Sequence, residues 1–428
     1  MKIEKENGAI HFPGLNALRF FAAMIVLVTH VEFIKKFLGH NDNLWIQLDK
    51  KIGFNGLSTV LNGGPNGEIR LLSPLVTLGG YMGVVFFFVL SGFLITYLLI
   101  AEREESGTVQ IRKFYLRRIL RIWPLYLLLV LLGFFVLPYI EWFRLIPQED
   151  QFYNHFILNF ICYVLMVPNL AFSIVMEGAP NIGHLWSVGV EEQFYLFWPL
   201  ILAWSRRPLK AITIFIALWL LVKIGFLFLQ KKVMGVPDLD PDLMLFSWWE
   251  SIKRLLGTMK FECMALGGVG AWLYYHRRVP VLKVCYSRVV EILSYTSIVP
   301  IIYLLPKSMF SVLHILLSIP FLLIILNVAT NEDAIFKFRW KRFNVLGKIS
   351  YGIYMYHFLS IMFCFNLLNY FLEFPKNLLW WHSLLLYALS IGTTIGLSYV
   401  SYAYFEKAFL MRKKRYSVIH SSDDVNRH

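Results

Sequence analysis

The sequence predicts an all-α integral membrane protein with about ten transmembrane helices, one further re-entrant or interfacial helix, and both termini cytoplasmic. Three observations predict it. Of the 428 residues, 57% are hydrophobic and only 16% charged, with a mean hydropathy of +0.59, which is too apolar for one soluble core of this length. Apolar runs of about 17 to 25 residues, long enough to cross a hydrocarbon layer, recur along the chain. The basic residues that bring the formal charge to +14 cluster at the ends of those runs, as cytoplasmic anchors do.

Taken in order, spans are predicted at 15–38, 76–101, 119–140, 185–205, 210–229, 259–275, 286–305, 309–329, 347–371 and 383–406. The first run carries Arg19 inside it and lacks a small-residue cleavage site, so it stays as the first helix and is not removed as a signal peptide. The loop at 39–75, with Asn-Gly and Gly-Gly-Pro-Asn-Gly, reads as a flexible external excursion. The stretch from Phe156 to Phe172 is apolar but short, and Asn159, Pro168 and Asn169 interrupt it. Leaving it out as a span puts RKFYLRR (112–118), SRR (205–207), HRR (276–278), KFRWKR (337–342) and RKKR (412–415) on one side. Lys231 and Lys232 are the main exception. The predicted organisation is a cytoplasmic segment at 1–14, a membrane domain at 15–410, and a basic, disordered cytoplasmic tail at 411–428.

Several function classes fall away. No basic face interleaved with stacking aromatics lies outside the apolar spans, so no nucleic-acid partner is expected. Cys162, Cys263, Cys285 and Cys364 show no CxxC spacing, which indicates neither a disulfide framework nor a zinc site, and no metal is expected. Membrane lipid is the expected surrounding partner.

Three constellations carry chemistry. Arg19 and His30 are eleven residues apart on the first helix, an offset that returns to within about 20° of one face and separates them by roughly 16 Å. They read as the wall of a polar shaft, or as a snorkelling Arg with a His bonded to a neighbouring helix. HLWSVGVEEQFY places His184, Ser187, Glu191 and Tyr195 on one helical face, with Trp186 adjacent, whereas Glu192 points about 100° away. FYLRRILRIWPLY puts Arg118 and Arg121 one turn apart, backed by Arg117, Arg112 and Lys113. That cluster suits a phosphorylated cytosolic ligand and equally suits positive-inside anchoring. Ser91 in LSGFL lacks a nucleophile elbow and reads as helix packing, with Gly79, Gly83 and Gly92 allowing close approach.

Together with FFFVLSGFLI (86–95), KFECMALG (260–267), KISYGIYMYH (348–357) and YFEKAF (404–409), these motifs resemble the bacterial acyltransferase-3 family, the membrane O-acyltransferases of surface glycans. The similarity in order and spacing runs from Leu15 to about Phe409, with Ala408 standing where a proline is usual. The resemblance implies transfer of an acyl group, most often acetyl from cytoplasmic acetyl-CoA, to a hydroxyl of a glycan or lipid-linked sugar on the far side. It implies His30 as catalytic histidine and Arg19 as its partner, with Glu191 and His184 also catalytic. Arg118 and Arg121, with Arg117 and Lys113, would hold the donor. Ser187, Trp186, Gln193, Tyr195, Lys260, Glu262, Tyr351 and His357 would support or contact substrate. Many relatives carry an additional SGNH-type hydrolase domain; no Gly-Asp-Ser block occurs here, so transfer would be completed within the membrane domain or by a separate partner.

A histidine in an apolar helix is held neutral and able to take a proton from a sugar hydroxyl, with a carboxylate such as Glu191 to orient it. Direct attack of His30 on the thioester is the competing mechanism. The rival from another class is a multi-pass transporter or channel with an intramembrane His/Arg/Glu path, which inverted repeats would favour; no internal self-similarity is found.

Overall fold

The computed structural model describes residues 5–6, 9–10, 12, 14–40, 72–143, 154–175, 179–234, 244–305, 312–338, 340–376, 378–416 and 420–421. Its helices, in chain order, are α1 Leu15–Phe37, α2 Leu72–Ser106, α3 Ile111–Phe135, α4 Phe156–Val164, α5 Pro168–Val175, α6 Trp186–Trp204, α7 Pro208–Met234, α8 Met244–Thr258 and α9 Phe261–Tyr275. They continue as α10 Val279–Cys285, α11 Arg288–Thr296, α12 Ile298–Leu304, α13 Leu313–Thr330, α14 Lys341–Lys348, α15 Ser350–Leu372, α16 Trp380–Ser401 and α17 Lys407–Lys413, with a π-helical turn at Tyr402–Glu406 before α17. The external loop read at 39–75 lies mostly outside the described residues.

Among the described residues, seven helices are long and apolar enough to cross a membrane: α1, α2, α3, α7, α13, α15 and α16, the last with the segment running on to Tyr416. An eighth span arises if the pair bent by 53° between Val279–Cys285 and Arg288–Leu304 counts as one. Helix α7 shows why a lipid phase is needed: Leu218, Leu221, Ile224 and Phe228 are all exposed on it, an apolar surface that water would not support. The two remaining predicted spans, 185–205 and 259–275, form α6 and α9, which do not meet that standard. Helix α9 has 15 residues, about 22 Å of rise, and α6 carries Glu191, Glu192 and Gln193 within its 19. Each buries one face in protein, with Val190, Phe194, Trp198, Cys263, Met264 and Ala265 fully buried, although Leu196 and Trp204 of α6 are exposed. A helix face packed on other helices can keep polar groups, and such a helix need not match the bilayer in length. The stretch from 156 to 172 is broken, as expected, by a left-handed Met166 (φ 61) followed by Pro168 at the start of α5. Neither α4 nor α5 is long enough to span.

The helices group into two compact units, one drawn from residues 1–87, 279–415 and 420–428, the other from 88–278 with 416–419. In the first, α1 packs on α14, α15 and α16 around Ala23, Ile349 and Ile353, with Phe20, Met24, Phe87, Leu346, Ile395 and Tyr402 closing over them. Gly14 enters α1 in a left-handed conformation (φ 78), with Val328 so close that a Cβ would meet its Cγ1 at 2.5 Å. Three short strands belong to this unit. Ala9–Ile10 pairs antiparallel with Lys5–Glu6 and parallel with His420–Ser421, so the two ends of the chain adjoin.

In the second unit, α2 and α9 approach until Gly92 lies against the Met264 carbonyl, where any Cβ would overlap it. Trp198 Nε1 donates to Thr96 Oγ1 at 2.8 Å and stacks on Phe194, tying α6 to α2. Arg103 donates to the carbonyls of Leu202 (3.0 Å) and Ser205 (2.6 Å), closing the carboxyl end of α6 with a cation.

Candidate functional site

The predicted site residues divide between the units: Arg19, His30, Tyr351 and His357 lie in the first, all the others in the second. On α1, Arg19 and His30 are both half-buried. Arg19 donates to Asn16 Oδ1 at 3.1 Å. The His30 ring bonds through Nδ1 to the Val26 carbonyl at 2.9 Å. A carbonyl only accepts, so Nδ1 carries the hydrogen and Nε2 is left with its lone pair. The backbone of the histidine's own helix thus holds the ring. His357, on α15, is fully buried and its ring centroid lies 4.9 Å from that of His30. Phe33 and Phe358 pack edge-on against His30 at 6.1 and 5.8 Å. Tyr351 sits at the start of α15, half-buried.

A buried ionic cluster lies just beyond His30 on α1. Lys35 Nζ donates to Glu32 Oε1 and Oε2 (3.0 and 3.2 Å) and to Ser383 Oγ (2.9 Å), and Tyr387 OH donates to Glu32 Oε1 at 2.6 Å. Sequence reasoning missed it. The i, i+3 spacing of Glu32 and Lys35 was visible, but a basic residue at a helix end reads as a membrane anchor.

In the second unit α6 carries a run of polar contacts. Glu191 Oε1 accepts from Ser91 Oγ (2.9 Å) and Oε2 from Tyr195 OH (3.0 Å), so the Glu191 and Tyr195 of one helical face do act together. Ser91 corrects the packing assignment: its hydroxyl faces a carboxylate, while neighbouring Gly92 supplies the close approach. Glu192 points elsewhere and accepts through Oε2 from Trp123 Nε1 at 2.9 Å, while its buried Oε1 has no hydrogen-bond partner among the described residues. His184 and Ser187 are buried at the start of the helix, with Ser187 Oγ donating to the His184 carbonyl (3.3 Å), and Trp186 packs edge-on to Phe88. Gln193 exchanges hydrogen bonds with Asn169 (2.6 and 3.3 Å), which fastens the α4–α5 segment to α6.

The arginine cluster separates into roles. Arg117 is buried and committed to Glu102 Oε2 at 2.6 Å and to the Tyr416 carbonyl at 2.9 Å. Arg118 lies with its guanidinium over the rings of Phe114 (5.7 Å) and Tyr195 (6.0 Å), and its buried Nε has no hydrogen-bond partner among the described residues. Arg121 is half-buried and Lys113 exposed. Lys260 donates to the Gly257 carbonyl at 2.6 Å, and Glu262 pairs with Lys223 at 2.6 Å. Lys223 is the one charged residue between Ala211 and Leu229 of α7, and only the fold supplies its partner.

Comparison with known proteins places this arrangement. A family model described as an acyltransferase domain, of the acyltransferase-3 type, matches residues 12–403. A Staphylococcus aureus (strain COL) protein named provisionally as an O-acetyltransferase is 27% identical over 350 residues, 77% of this chain and 53% of that protein. The peptidoglycan O-acetyltransferase OatA of Listeria monocytogenes serovar 1/2a is 25% identical over 292 residues, 65% of this chain and 44% of its own length. The O-acetyltransferase OatA of Staphylococcus aureus (strain NCTC 8325) is 26% identical over 240 residues, 55% and 32% respectively. The chain thus spans about half, or less, of the length of these relatives. No solved structure matches. With its membrane-length helices and a match across nearly all of its length, the chain belongs to the acyltransferase-3 family.

Proposed function

We propose that the protein is a membrane O-acyltransferase that moves an acyl group, acetyl foremost, from cytoplasmic acetyl-CoA to a hydroxyl of an extracytoplasmic glycan or lipid-linked sugar. The observation that carries this reading is His30: its Nδ1 hydrogen is held by the Val26 carbonyl, so Nε2 is the basic nitrogen. In the direct reaction Nε2 takes the hydroxyl proton as the hydroxyl oxygen attacks the thioester carbonyl. The C–O bond forms, the C–S bond breaks, and the proton returns to the departing thiolate. The same Nε2 can attack first, giving an acyl-imidazole that the hydroxyl then opens. Arg118 and Arg121 are assigned to the phosphates of the donor, which the unpartnered Nε of Arg118 suits. The names of the relatives favour a glycan of the cell wall as acceptor.

The reading includes ten spans, with α6, α9 and the bent α10–α12 added to the seven that qualify by length and composition. Both termini are assigned to the cytoplasmic side of a bacterial cytoplasmic membrane, which the basic loops and the pairing of Ala9–Ile10 with His420–Ser421 support. Mass spectrometry of surface polysaccharide from a strain lacking the gene tests the whole. An ester should be lost, return with the wild-type gene, and stay absent with His30→Ala. An unchanged polysaccharide, with no CoA-dependent thermal stabilisation of the purified protein, would refute it and favour transport.

A further inference from the structure

We infer that Glu32 and Lys35 are positioning residues: with Tyr387 and Ser383 they fix the rotation of α1, and so the direction in which His30 is aimed. The role rests on the proposed acyl transfer and concerns α1, α15 and α16, all within the first unit. The His30 ring is bonded through Nδ1 to the carbonyl of Val26, four residues back on its own helix, at 2.9 Å. The imidazole therefore turns as α1 turns, and the rotation of the helix decides where Nε2 points.

Glu32 and Lys35 follow His30 by two and five residues, which sets them about 200° and 140° round the helix from it. His30 meets His357 and Phe358 of α15, whereas the pair reaches α16. Lys35 Nζ donates to Ser383 Oγ at 2.9 Å, and Tyr387 OH donates to Glu32 Oε1 at 2.6 Å. Within the pair, Lys35 Nζ donates to both oxygens of Glu32, at 3.0 and 3.2 Å. A buried ion pair adds little net stability over apolar side chains of like volume, because each charge gives up its water. What it imposes is a single arrangement. Lys35 is 1% exposed and Glu32 8%, so each charge depends on the partners it has. A slip of one residue turns α1 by about 100°, which takes both charges away from the α16 hydroxyls and toward apolar side chains or lipid. Apolar packing has no such direction and would tolerate the slip. A polar contact buried between apolar helices sets register in the same way in coiled coils.

The test uses the whole protein in detergent and reads thiol release from acetyl-CoA, together with the unfolding temperature. Glu32→Met, Lys35→Met and Tyr387→Phe combined remove both charges and the tyrosine hydroxyl while keeping the bulk. This triple variant should unfold at or above the wild-type temperature, with KM for acetyl-CoA within about twofold and kcat down about tenfold or more. Exchanging the charges, Glu32→Lys with Lys35→Glu, should recover most of kcat, since a hydroxyl accepts from an ammonium or donates to a carboxylate. Tyr387→Phe alone leaves the ion pair in place and should lose about threefold in kcat at an unchanged unfolding temperature. That single variant decides the matter if the triple variant does not fold. The inference is overturned if the deciding variant turns over like wild type, or if kcat falls only in step with the unfolding temperature. Background turnover by His30→Ala beside a wild-type-like triple variant leaves acyl transfer standing without the lock. No thiol release by wild type overturns both.

Discussion

Ser91 donates its hydroxyl hydrogen to Glu191 Oε1 at 2.9 Å, across a separation of 100 residues in the chain. The bond joins α2 to α6 at a carboxylate, beside the glycine that lets α2 meet α9. A hydroxyl that would pass for a packing residue is thereby part of the polar centre of the second unit.

Ser91→Ala should reduce acyl transfer about tenfold, the equivalent of about 1.4 kcal/mol, because Glu191 keeps only the Tyr195 hydroxyl. Ser91→Thr should restore most of the loss. Steady-state rates with acetyl-CoA decide it, and an alanine variant as fast as wild type would return Ser91 to packing.

Glu191 and Glu192 should differ. Glu191→Gln replaces an acceptor that faces two hydroxyl donors and should slow transfer while donor binding stays intact. Glu192→Gln keeps an oxygen for Trp123 but buries an amide whose N–H donors meet no acceptor among the described residues, so it should act mainly through stability, lowering the unfolding temperature while the rate of the folded enzyme stays near wild type. Equal loss of turnover in both at normal stability would show the two carboxylates act as one.

Arg117 and Arg118 should fail for different reasons. Arg117→Ala strands Glu102, which is only 2% exposed, and should cost about 3–5 kcal/mol of stability, seen as a lowered unfolding temperature or poor membrane yield. Arg118→Ala should instead weaken CoA binding, more so at low salt, with Arg118→Lys recovering part. Unaltered CoA affinity in both Arg118→Ala and Arg121→Ala would reduce them to topological anchors.

Lys223 and Glu262 should be coupled. Lys223→Met or Glu262→Met alone leaves one charge buried and should destabilise by about 3–5 kcal/mol, whereas Lys223→Met with Glu262→Met should recover much of that. Thermal unfolding of the four proteins closes the cycle, and additive losses would mean the pair contributes nothing as a pair.

The features legible in the chain are the ones that repeat locally. Apolar length marks ten spans, of which seven and a bent eighth qualify by length and composition, Pro168 interrupts the 156–172 stretch, and the periodicity of α6 sets Glu191 with Tyr195 and turns Glu192 aside. Those features depend on the rise and turn of a single helix. The motifs legible in the chain order also announced the family. Tertiary structure alone decided the partners: Ser91 for Glu191, Trp123 for Glu192, Glu102 for Arg117, Lys223 for Glu262, Tyr387 for Glu32 and His357 for His30. Except for Arg117 with Glu102, each joins residues 39 or more positions apart. A helix's own pattern states which face is polar, but only the packing of one helix on another states which polar group that face meets.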